Sequence, residues 1–75
     1  MRPIYQIAKD IRKDWNNPYY GALPYLNAMQ TLDNVNDWYH YDTARTIILY
    51  FLGNAQSWRG TVAKEIKLEL KALIK

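Results

Sequence analysis

Residues 44–55 read "ARTIILYFLGNA", and the centre of that stretch, "TIILYFL" from Thr46 to Leu52, fits either a buried strand or a helix. Its β-branched and aromatic residues favour a strand. Ala44, Ile47, Ile48, Phe51, Leu52 and Ala55, however, recur at the three- and four-residue intervals of one helical face, over a span too long for an ordinary strand. The helix reading prevails, with Asp42, just ahead of Thr43, as the side chain expected to cap its first turn. Leu49 and Tyr50 lie off that stripe. The helix is thus apolar around most of its circumference, which predicts a place at the centre of the fold.

Working outward, "SWRGT" offers Ser57 or Thr61 as caps, and Val62, Ile66, Leu70 and Leu73 keep one face of a last helix that runs to the C-terminus. On the other side, Ile4, Ile7, Ala8, Ile11 and Trp15 follow the helical period from Pro3 onward, and "NNPYYG" ends that helix, because Pro18 drives Asn17 out of the helical region. Pro24 suits a first turn, and Tyr25, Leu26, Met29 and Leu32 define a second helix over about Ala22–Leu32. The expected fold is all-α, a single domain and a compact bundle of four short helices. Between helices two and three lies Asp33–Tyr41, opened by the turn signal "DNVND" and rich in rings.

A chain of 75 residues, 49% hydrophobic and 23% charged, has the composition of one globular domain rather than of a disordered segment. Domains this short bury only about 60% of the surface their unfolded chains expose. With no Cys and one His there is no disulfide and no His/Cys metal staple, so the compensation falls to three Trp, seven Tyr and one Phe. The N-terminal stretch "MRPIYQIAKDIRKDW" lacks the apolar core of a signal peptide, and "IILYFL" falls far short of the roughly 18 residues of a membrane span. Neither export nor a membrane partner is expected. The formal net charge of +3 disfavours an acidic DNA mimic and is too small to require a nucleic-acid partner.

Catalytic chemistry finds little support. Nucleophilic catalysis would draw on Ser57, His40 and an aspartate, the chain's whole supply of Ser and His, and no G-x-S-x-G elbow is present. The acid pairs Asp10/Asp14 and Glu65/Glu69 share helical faces and read as solvated surface. "DNVNDW" starts like a calcium loop, but Val35 and Trp38 occupy positions that need a ligand and a glycine. No Gly-rich phosphate loop occurs. No cofactor, metal or enzymatic activity is expected.

Two constellations suit binding instead. In "NDWYHYD", Asn36–Asp42, the rings of Trp38, Tyr39, His40 and Tyr41 are expected to cover the core, with Trp38 as the lid and Tyr39 and His40 on an exposed edge. Together with Tyr19 and Tyr20, these are the candidate protein-contacting residues, because rigid rings desolvate a partner's pocket at little entropy cost. The alternative is a weak nucleic-acid surface. Lys64, Lys67, Lys71 and Lys75 recur along one side of the last helix, and Arg59 with Lys64 flanks its N-terminal N–H groups. Nothing in the spacing specifies an oligomeric state.

The stretches "PYYGALPYL", "IILYFLGNAQSWRG" and "KEIKLELKAL" together resemble a family of small bacteriophage-encoded proteins, over most of the chain. The resemblance rests on structural motifs and implies no activity and no functional residue. It implies a context, namely an accessory product in the cytoplasm of a host bacterium that binds and modulates, most simply inhibits, a host protein such as a defence or nucleic-acid-processing enzyme.

Overall fold

In the computed structural model, which describes residues 2–75, the chain forms α1 (Ile4–Asp14), a 3₁₀ turn (Tyr20–Ala22), α2 (Leu23–Met29), β1 (Trp38–Tyr39), β2 (Asp42–Thr43), α3 (Ala44–Gly53) and α4 (Thr61–Leu73). The fold is mainly helical, with the expected four helices. It is not strictly all-α, because the aromatic connection before α3 closes into a two-stranded antiparallel hairpin.

The stripe of α1 is buried as its period requires, with Ile4, Ile7, Ala8, Ile11 and then Trp15 all in the core. A helix start leaves N–H groups without intrahelical partners, and no side chain caps this one. The backbone N–H groups of Ile4 and Tyr5 instead donate to the carbonyls of Asp33 (2.8 Å) and Leu32 (2.9 Å). The segment after α2 therefore caps α1. This explains why α2 ends at Met29 and not at Leu32 as the sequence suggests. Thr31 bonds back to the Ala28 carbonyl through both its N–H (3.0 Å) and its hydroxyl (2.8 Å), tightening the chain into a turn. Leu32 still reaches the core.

Thr43, not Asp42, caps α3: its Oγ1 accepts from the Thr46 N–H at 3.3 Å, while Asp42 pairs with Tyr39 across the hairpin. Ala44, Ile47, Ile48, Phe51 and Ala55 are buried. The expectation that α3 is surrounded on most sides is overturned, since Leu49 is 58% and Tyr50 49% exposed. α2 and α4 cover its flanks, and its outer side stays open.

Neither Ser57 nor Thr61 caps α4. Gly60 holds the N-cap position at φ 112°, and no side chain bonds to the first turn. The buried line of α4 keeps Ile66 and Leu70 as expected, but Ala63 takes the inward place expected of Val62, which is exposed, and Leu73 is only partly buried. Trp58, just ahead of α4, packs in the core. It stacks on Trp15 (5.6 Å between centroids, 11° between planes), and Phe51 meets both rings edge-on, at 6.2 Å from Trp15 and 6.4 Å from Trp58. The Trp58 Nε1–H donates to Asp14 Oδ2 at 2.8 Å, which satisfies the one polar atom of the buried ring.

Charged groups read as free surface also hold the fold together. Arg2 grips Glu69 of α4 through a two-pronged bond, Nε and Nη2 each at 2.9 Å, and pairs with Asp10 of α1. Such fork geometry gives direction as well as energy. One end of the chain is thereby tied to α4.

Candidate interaction surface

The hairpin is built from its turn upward. Asp37 Oδ2 accepts from the N–H groups of Asp33 (2.9 Å) and Asn34 (3.0 Å), and Asn34 Oδ1 accepts from the Asn36 N–H (2.9 Å). The Asp37 carbonyl then receives the Ala44 N–H at 2.8 Å, joining this turn to the start of α3. "DNVND" is therefore a turn, as read, and its acidic and amide side chains bond to its own backbone. The ladder pairs Trp38 with Thr43 and Tyr39 with Asp42, leaving His40 and Tyr41 as a two-residue loop. His40 adopts φ 57°, the positive angle that tight hairpin loops demand at their first position.

Successive strand residues point to opposite faces. Here that alternation reverses the expected roles. Tyr39 packs against the core, whereas Trp38, expected as the lid, is 66% exposed, and Tyr41 at the loop tip is 95% exposed. His40 is also exposed, with its ring edge-on to Tyr39 at 4.5 Å. The outward rings of the hairpin are Trp38 and Tyr41. The inward ring is Tyr39.

Tyr19 and Tyr20 form a separate patch. Their rings lie 4.7 Å apart, and Tyr20 is 78% exposed. The neighbouring Tyr20 hydroxyl, through its polar contact and its charge, holds the Tyr19 hydroxyl above the usual tyrosine range. Tyr19 lines a shallow recess of about 340 Å³ with Gly53, Asn54, Gln56 and Ser57, at the C-terminal end of α3. Gly21 makes this approach possible, since a Cβ there would lie 2.5 Å from the Tyr19 ring and 2.9 Å from Asn54 Oδ1. The hairpin sits at the opposite end of the same helix, ten residues or about 15 Å away. The six candidate residues thus divide into two surfaces. Ser57 and His40, which a triad would need together, fall at these two ends.

The lysine ridge is also divided. Lys64, Lys71 and Lys75 are exposed. Lys67 turns back, donating from Nζ to the Trp58 carbonyl at 2.6 Å with its ammonium 5.8 Å from the Trp58 ring centroid. Burial, and then the charges of Lys71 and Arg59, push Lys67 below the usual lysine range. Its work is structural, closing the end of the α3–α4 connection. Arg59 is exposed beside the uncapped start of α4.

Among the described residues, no group of three or more His, Cys, Asp or Glu side chains could hold a metal ion, and no helix is long and apolar enough to cross a membrane. No protein-family model, curated protein or solved structure matches the chain.

Proposed function

We propose that this chain is a small interaction protein that binds another protein through the outward face of its hairpin, with Trp38 as the central anchor and Tyr41 beside it. One observation carries the reading. A tryptophan stands two-thirds exposed on a segment whose inward packing is done by its neighbour Tyr39. The fold gains little from an exposed indole, whereas a partner's pocket gains a large rigid ring at small entropy cost. The turn built by Asp37 and Asn34 holds that ring in place before binding.

The resemblance to bacteriophage-encoded proteins supports a host protein as the partner, in the bacterial cytoplasm, with inhibition the simplest result of covering part of its surface. Nucleic acid along α4 has less support, because Lys67 is committed to the Trp58 carbonyl and the remaining lysines make few phosphate contacts. The test is capture from nuclease-treated bacterial lysate on immobilised wild-type protein, compared with Trp38→Ala and Tyr20→Ala. A stoichiometric protein retained by wild type and Tyr20→Ala, and bound at least about 2 kcal/mol more weakly by Trp38→Ala, is the expected result. Equal retention by Trp38→Ala removes the hairpin from the interface.

A further inference from the structure

α3 contains Arg45 and no acidic residue. Arg45 Nη1 donates to the Ile74 carbonyl at one end of the α3–α4 pair, and Lys67 Nζ reaches the Trp58 carbonyl at the other. The two helices therefore run antiparallel. Ile74 and Lys67 mark the flank of α4 turned toward α3. Stepping round α4 at about 100° per residue, the next flank holds Lys64 and Lys71, followed by Leu68, with Lys75 just past the helix end. All four side chains are exposed.

On α3, Arg45, Leu49 and Leu52 share the matching rim at i, i+4 and i+7. Leu49 and Leu68 are each 58% exposed, so two leucines stand among the cations of this face. The carboxylates of α4 leave by the far flank. Glu69 is bound to Arg2, and Glu65 lines a groove against α1 with Asp10 and Asp14. Lys71 and Arg59 lie near enough to Lys67 for their charges to lower its ionisation.

We propose that this α3–α4 face binds an acidic amphipathic helix of a partner protein, with carboxylates meeting Arg45, Lys64 and Lys71 and apolar side chains covering Leu49 and Leu68. Charge complementarity selects the occupant. A second copy of this chain would bring the same cations against themselves, which like-charge repulsion opposes. A nucleic-acid strand would satisfy the cations but leave both leucines against phosphate, and the face offers no ring on which a base could stack. Lys64 and Lys71 are two turns apart, about 10 Å along the helix, a spacing that glutamates seven residues apart on a partner helix reproduce. This surface is distinct from the hairpin, and the inference stands independently of the hairpin's role.

The experiment is an amide NMR titration of the intact protein with three probes, namely a helical peptide carrying Glu and Leu on adjoining faces, a scrambled peptide of the same composition, and a single-stranded DNA oligonucleotide of equal charge. The amphipathic peptide is expected to bind about tenfold or more tighter than either control, with shifts concentrated at Arg45, Leu49, Leu68 and Lys71. Lys64→Glu with Lys71→Glu should weaken it by about tenfold or more. Leu49→Ser with Leu68→Ser should erase its advantage over the scrambled peptide. These four side chains are exposed, and the unliganded spectrum of each variant verifies its fold. The proposal is overturned if the amphipathic peptide does not bind, if the scrambled peptide binds equally well, if DNA binds more tightly, or if the shifts centre on Trp38.

Discussion

Trp38 and Tyr39 are adjacent in a two-residue strand, and the alternation of the pleat sends one ring to solvent and the other to the core. Both carry aromatic surface, so the sequence showed that rings gather here but not which one turns inward; a strand of two residues has no period from which to read a face. The stability of alanine variants distinguishes the two. Tyr39→Ala removes a ring packed on the core and is expected to cost about 1–3 kcal/mol, less than a fully buried aromatic because Tyr39 is only partly covered. Trp38→Ala should stay within about 1 kcal/mol of wild type. Urea titrations of the two variants measure the difference, and a larger loss for Trp38 would restore it as the lid. The same limit applied to Lys67. Spacing placed it in line with Lys64 and Lys71, but its bond to Trp58 depends on where a distant carbonyl comes to lie. Tyr19 and Tyr20, grouped by composition with the hairpin rings, are separated from them by the length of α3, a distance that spacing along the chain does not encode.

At the scale of elements, what was legible was periodic. The stripes of α1 and α3 were read residue by residue because each supplies several apolar side chains at helical intervals and little competes with them. In α4, Ile66 and Leu70 are legible in the same way, and the first turn alone misleads, since Val62 and Ala63 are adjacent apolar residues and Ala63 is the one that faces inward. Caps were the least legible feature, because backbone carbonyls and a glycine take their place at α1 and α4. Two glycines around the α3–α4 connection test this account by moving stability in opposite directions. Gly60 adopts φ 112° and ψ 179°, a region nearly restricted to glycine, and an added Cβ there would touch nothing within 4 Å. Gly60→Ala should therefore cost about 1–3 kcal/mol from backbone strain alone. Gly53 ends α3 at a negative φ, again with nothing within 4 Å of an added Cβ, so Gly53→Ala should gain about 0.4–1 kcal/mol by restricting the unfolded chain. Thermal melts of the pair giving shifts of the same sign would contradict the conformations assigned to this connection.

Three rings from three parts of the chain meet at one point: Trp15 just past α1, Phe51 in α3, and Trp58 in the connection to α4. Arg2 joins Asp10 and Glu69 across the outside of α1 and α4, so the same elements are also tied at their rim. In a molecule extending 29 × 25 × 18 Å, little of the core lies far from this cluster, and its loss should be felt by every helix at once. A domain of this length has a total stability of about 4–11 kcal/mol. Phe51 is fully buried, and truncating such a ring costs about 3–5 kcal/mol through lost transfer energy and the cavity left behind. Phe51→Ala should therefore lose a large share of the molecule's stability. Because Trp15 and Trp58 both contact Phe51, indole fluorescence reports the cluster directly, while far-ultraviolet circular dichroism reports the helices. If the cluster ties the helices into one cooperative unit, the two probes will give coincident urea transitions in the wild type, and in Phe51→Ala both will move together to lower denaturant. Fluorescence changing well before helicity in the wild type would show that the aromatic cluster opens independently of the helices, and that the helices draw their stability from contacts elsewhere.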